Sequence, residues 1–195
     1  DMTPKQKELL IDSKTFCMMP WLHLHAFPDG RAYPCCFALD QYPVGDLNKD
    51  SMETVFNSKD MKKMRLNMLD DRPSRQCTKC YDQEKSGFFS LRLSSNKHFG
   101  HNIGMVDNTN GDGSADFIIK YWDIRFSNLC NMACRSCGTW FSSNWYEDHK
   151  KLTGKPPNHA KIMRVGRTAD DIWEQMLKQF HHVEQFYFAG GEPLI

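Results

Sequence analysis

Cys130-Asn131-Met132-Ala133-Cys134-Arg135-Ser136-Cys137 places three cysteines at C-x3-C-x2-C spacing, directly after an apolar run, FIIKYWDIRF over 117–126, that reads as a β-strand. A residue spans at most ~3.5 Å of extended chain, so the three thiols sit on one loop and grip a single compact object from one side. A structural zinc ion wants four closed ligands. Three thiolates on a four-iron cube leave one iron open for another ligand, and that is the chemistry this spacing favours.

Working outward, Val183 to Ala189 forms a second strand pattern that runs into Gly190-Gly191-Glu192-Pro193. The cysteine run resembles the cluster loop of the radical S-adenosylmethionine (SAM) enzymes, and the glycine turn is similar to that family's GGE motif. The resemblance implies that Cys130, Cys134 and Cys137 hold a 4Fe-4S cluster. It also implies that SAM chelates the open iron, and that Gly190 and Gly191 let the backbone approach the methionine moiety while Glu192 faces its amino group. Reductive cleavage of SAM to a 5′-deoxyadenosyl radical is then the expected reaction, with a low-potential electron donor such as flavodoxin or ferredoxin as partner. One departure stands out. Many such loops carry an aromatic residue before the third cysteine, where this chain has Ser136, so no stacking contact with the adenine is carried over.

A second set of four comprises Cys17, Cys35, Cys77 and Cys80. Cys17, Gly30 and Cys35 give C-x12-G-x4-C, and Cys77-Thr-Lys-Cys80 is a C-x2-C turn. Over residues 16–93 this resembles the Twitch/SPASM domains, which implies an auxiliary 4Fe-4S cluster; tetrathiolate sites suit zinc as well. In the SPASM pattern such a domain follows the barrel, whereas here it precedes it. Cys36 adjoins Cys35, and because neighbouring strand residues point to opposite faces, Cys35 is the expected ligand.

The remaining features bound the answer. Eight cysteines, seven of them in two groups of metal-type spacing, fit a reduced, cytoplasmic protein better than a disulfide scaffold. Lys plus Arg number 25 against 24 Asp plus Glu, which gives no reason to expect nucleic acid or an acidic membrane as partner. No apolar run approaches the ~20 residues of a membrane span. The sequence opens on Asp1 and stops at Ile195, just after the glycine turn, and so reads as a fragment, inactive by itself.

Along the chain, Leu22, Leu24 and Ala26 alternate with His23 and His25, as in a half-buried strand with the histidines on its solvated face. Pro28-Asp29-Gly30 turns it into a return strand over 31–37, bringing Cys17 and the Cys35-Cys36 pair to one end of a hairpin. Asp50 with Glu53 marks a helix start. After a break at Asn57-Ser58, Met61, Met64 and Met68 continue an apolar stripe that reads as core packing rather than a metal box. Residues 94–116 read as a polar connector. Its Asn108 to Gly113 mimics the start of a calcium loop, but Ile119 stands where the bidentate Glu belongs, so a turn is expected. Trp140, Phe141 and Trp145 populate one helix, and Thr168 with Asp171 opens another.

The expected fold class is α/β. A small α+β Twitch/SPASM-like cluster domain (1–93) leads through the connector (94–116) to the opening βα units of a radical SAM partial (β/α) barrel (117–195). The expected substrate is a peptide or protein. The competing reading is a non-enzymatic zinc or iron-sulfur module that docks a partner.

Overall fold

The structure, a computed structural model, describes residues 2–193. The strands among them are β1 (His23–Ala26), β2 (Arg31–Tyr33), β3 (Gly45–Asp46), β4 (Tyr121–Ile124) and β5 (Gln185–Phe186), in one sheet of order β3-β2-β1-β4-β5. β1 pairs antiparallel with β2, as the hairpin pattern predicts, and parallel with β4, with His23 opposite Tyr121 and His25 opposite Asp123. β4 in turn pairs parallel with β5. The hairpin from the first part of the chain and the strand that leads into the Cys130 loop therefore share one ladder.

That pairing corrects the placement of the histidines. His23 and His25 are buried, because β1 is a central strand and not the half-solvated arm of a free hairpin. Tyr121 stacks on the His23 ring with centroids 4.4 Å apart, and Phe27 meets the His25 ring edge-on at 4.8 Å.

The opposite face carries Leu22, Leu24, Ala26, Trp122 and Ile124 into the main core. The helices among the described residues are α1 (Pro4–Lys7), α2 (Met19–Leu22), α3 (Met52–Phe56), α4 (Lys59–Leu69), α5 (Thr78–Lys85), α6 (Leu91–Phe99), α7 (Gly104–Asp107), α8 (Trp145–Thr153) and α9 (Asp171–Gln179), of which α2, α3, α4, α6, α7 and α9 give buried residues to that core. Met61, Met64 and Met68 of α4 are fully buried, each contributing ~1.5–3 kcal/mol of transfer free energy. The cap of α3 is Ser51, whose side chain accepts from the Thr54 N–H, rather than Asp50; Ser58 caps α4 in the same way.

Arg65 lies on the same helix and is also fully buried. Its guanidinium donates to the carbonyls of Pro20, Phe56 and Gly113 and to Asn57 Oδ1, at 2.8–3.1 Å, and stands over the Phe56 ring. Burial pulls its pKa down to about 10.

The stretch 94–116 is more than a connector. α6 reaches Phe99 and α7 follows, and Phe99, Ile103 and Val106 point one apolar stripe into the core while Lys97, His98 and His101 face outward. The polar residues outnumber the stripe, which is why the sequence pattern hides it. Asn108 to Gly113 forms a turn closed by Asn110 and Ser114, with Asp112 bonded to Ser114 and Lys62.

Beyond it, β4 and β5 are shorter than their patterns. Residues 117–119 leave the ladder because Phe117 packs against Phe56 (5.4 Å). Trp140 and Phe141 lie in turns, and the helix begins only at Trp145. β4, α8, α9 and β5 make a βαβ unit, and the strands of the described residues form an open sheet rather than a closed barrel. No helix among them is long and apolar enough to cross a membrane.

Candidate metal centres

Cys17, Cys35, Cys77 and Cys80 line one small cavity together with Met19, Phe37 and Leu91. Cys17 precedes α2, Cys35 follows β2, and Cys77 and Cys80 flank the start of α5. Arg92 fixes the geometry. It donates to the Phe16 carbonyl at 2.8 Å and to the Ser13 carbonyl at 3.2 Å, while Glu84 holds its other nitrogens, so the loop before Cys17 is clamped to α5 and α6.

Burial pushes the Cys17 and Cys35 thiols far above the ordinary range, and Cys77 to about 12. In each case a neighbouring thiol of the set is the next cause. Four thiolates cannot ionise side by side in an apolar pocket without a positive partner, and a metal ion or cluster supplies one. The donor set fits either. A four-iron cube would seat only with the thiols parted, since the cavity measures about 20 Å³. A single ion would need them drawn together, because among the described residues no three ligating side chains close on one point.

Cys36 is turned away from this cavity. It is exposed, and its thiol lies in the field of Asp123 and Arg125.

Cys130, Cys134 and Cys137 sit on a loop between β4 and α8, Cys134 exposed and the others half-buried. Several hydrogen bonds shape it. Cys137 N–H closes a turn on the Cys134 carbonyl (3.0 Å), Trp145 Nε1 donates to the same carbonyl (2.9 Å), and Ser142 Oγ donates to the Met132 carbonyl (2.6 Å). Asn128, fully buried, staples the base of the loop by donating to the Thr139 and Lys161 carbonyls and accepting from the Met163 N–H.

The glycine turn docks here. Gly191 N–H bonds the Phe141 carbonyl at 3.1 Å and Glu192 N–H the Leu129 carbonyl at 2.7 Å. Both glycines have positive φ, +83° and +61°; a Cβ on Gly190 would meet Arg125 and one on Gly191 the Leu129 carbonyl. Their freedom thus lets the turn lie against the loop base. Beside it, at the C-terminal ends of β4 and β5, a groove of about 160 Å³ is lined by Phe126, Ser127, Trp173, Gly190, Glu192 and Pro193.

Asn128, Arg92, Arg125 and the His25–Asp123 contact escape the sequence reading. A lone Asn or Arg carries no spacing signal, and Asp123 faces His25 only once β4 is known to pair with β1.

The chain has no match among curated proteins or solved structures. Residues 17–81, roughly a third of it, match SPASM, an iron-sulfur cluster-binding domain found in radical SAM enzymes, and that span begins at Cys17, ends one residue past Cys80 and so encloses all four clustered thiols.

Proposed function

We propose that the chain belongs to a radical SAM enzyme acting on a peptide or protein, with an auxiliary cluster held by Cys17, Cys35, Cys77 and Cys80. The observation that carries this reading is the docking of the Gly190-Gly191-Glu192 turn onto the base of the Cys130–Cys137 loop. When bound, a 4Fe-4S cluster and SAM supply one-electron cleavage of a carbon–sulfur bond.

The chain's own residues have separate tasks. Cys130, Cys134 and Cys137 would hold three corners of the cluster, and Asn128 and Trp145 fix the loop that presents them. Gly190 and Gly191 admit the turn beside the loop, and Glu192, lining the groove, offers a carboxylate to an ammonium group. Electrons come from a low-potential donor such as a flavodoxin or ferredoxin.

The test is anaerobic reconstitution followed by iron, sulfide and zinc analysis and spin-resonance spectroscopy of the reduced protein. Addition of SAM is expected to change the spectrum, and 5′-deoxyadenosine to be detectable by chromatography. A spectrum indifferent to SAM would sink the reading and leave a metal-binding module without radical chemistry.

A further inference from the structure

The polar face of the sheet is as continuous as the apolar one. It carries His23, His25, Tyr121, Asp123 and then Arg125, alternating with the core residues as strand geometry requires. His25 Nδ1 lies 2.9 Å from Asp123 Oδ2 with both side chains almost wholly buried, although the approach is off the line of a good hydrogen bond. Buried and unpartnered are His23 Nε2, His25 Nε2, both Asp123 oxygens and Arg125 Nε. Each such atom costs ~1–3 kcal/mol. Packing alone gives no reason to gather them on two central strands.

The proton positions follow from the partners. The Tyr121 carbonyl, 2.8 Å from His23 Nδ1, can only accept, so that nitrogen carries the hydrogen and Nε2 keeps a bare lone pair. The Asp123 carboxylate, 2.9 Å from His25 Nδ1, favours the hydrogen on that nitrogen through its charge. Burial raises the Asp123 carboxyl, but the close approach of His25 and the charges of His25, His23 and Arg125 outweigh it and hold the group below the usual range. The groups around His25 are His23 on its own strand, Tyr33 on β2, and Asp123 on β4, with Tyr121, Arg125 and Cys36 facing Asp123.

Arg125 follows the last residue of β4, the edge where parallel sheets take their ligands. Its guanidinium stands over Phe27 and Phe141 at 5.3 and 4.9 Å.

We propose that His25, oriented by Asp123, is an acid–base residue for a carboxylate-bearing substrate at this edge, with Arg125 holding the carboxylate. A substrate ammonium or hydroxyl gives its proton to His25 Nε2, the Nδ1 hydrogen stays between ring and Asp123, and the Asp123 charge balances the imidazolium; the reverse transfer restores the site. His25 touches the substrate, and Asp123 is a positioning residue. The proposal stands without either cluster.

The test records nitrogen-15 spectra of the full chain, labelled in its histidines, with and without acetate as the anion probe. His25 is expected to carry its hydrogen on Nδ1, to lose that preference in Asp123→Asn and to regain it in Asp123→Glu. Acetate is expected to move the His25 signal in the wild type and not in Arg125→Gln. A His25 held for structure alone would ignore acetate; that result, a tautomer unchanged in Asp123→Asn, or an equal acetate response in Arg125→Gln overturns the proposal. Should the Asp123 variants fail to fold, the wild-type response to acetate and the half-buried Arg125 variant still decide.

Discussion

Glu192 donates its backbone N–H to the Leu129 carbonyl at 2.7 Å, one residue after Gly191 has bonded the Phe141 carbonyl, so the glycine turn and the cysteine loop are a single object assembled from distant sequence. The turn is a wall of the loop as well as a neighbour of any cofactor.

A Gly191→Ala variant tests that joint. The added Cβ meets the Leu129 carbonyl and the residue keeps a left-handed φ, a strain of ~1–3 kcal/mol. Faster hydrogen exchange is expected at the Glu192 amide, with exchange in α4 unchanged. Wild-type exchange at Glu192 would show that the turn does not brace the loop.

Arg65 is expected to be intolerant of Lys. One ammonium cannot serve acceptors on Pro20, Phe56, Gly113 and Asn57 at once, and orphaned carbonyls in the core cost ~1–3 kcal/mol each. Urea unfolding of Arg65→Lys should show a lower midpoint at unchanged slope, a loss of ~2–4 kcal/mol. A loss below ~1 kcal/mol would mean that water replaces the guanidinium.

The two cysteine sets are expected to load independently. Replacing Cys130, Cys134 and Cys137 together with Ala should remove one of two metal contents and leave the other, because Cys17, Cys35, Cys77 and Cys80 line a separate cavity. Within that cavity Cys35→Ala should lose its spectrum and Cys36→Ala should keep it. Optical and elemental analysis after reconstitution reads both, and the reverse order at 35 and 36 contradicts the assignment.

Acid should weaken the fold through His23. Burial lowers its pKa to about 4, against which the Tyr121 carbonyl works, while the unfolded chain titrates near 6.5. The unfolded state therefore binds the extra proton first as pH falls. Stability is full above about 6.5 and declines toward about 4, by on the order of 3 kcal/mol in total. Comparison with His23→Phe isolates the effect, since that variant should lack this part of the slope; parallel curves would show that His23 is not held neutral.

Much of this was legible. The hairpin after Cys17, the methionine stripe of α4 and the strand before Cys130 follow from period and turn chemistry alone, and the Cys17, Cys35, Cys77 and Cys80 grouping, which the structure gathers around one cavity, from spacing and the resemblance. What stayed hidden depends on pairing at long range. His23 and His25 alternate with apolar residues as an edge strand would, and only β4 turns that pattern inward. Arg65 draws no sequence reading at all, because three of its four partners are backbone carbonyls, to which sequence pattern is blind.

The parallel ladder between β1 and β4 joins His23 to Tyr121 across 98 positions. On the ribosome, then, the thiols of Cys17, Cys35, Cys77 and Cys80 all emerge well before β4, the strand that covers the β1 edge. Until then β1, β2 and the two-residue β3 form a short antiparallel ribbon whose β1 edge is bare and open to wrong partners. Metal delivered to the nascent chain would meet that ribbon, and metal delivered after release would meet the five-stranded sheet. The lining of the four-thiol cavity comes wholly from residues 17–95, so none of it waits for β4 to be made.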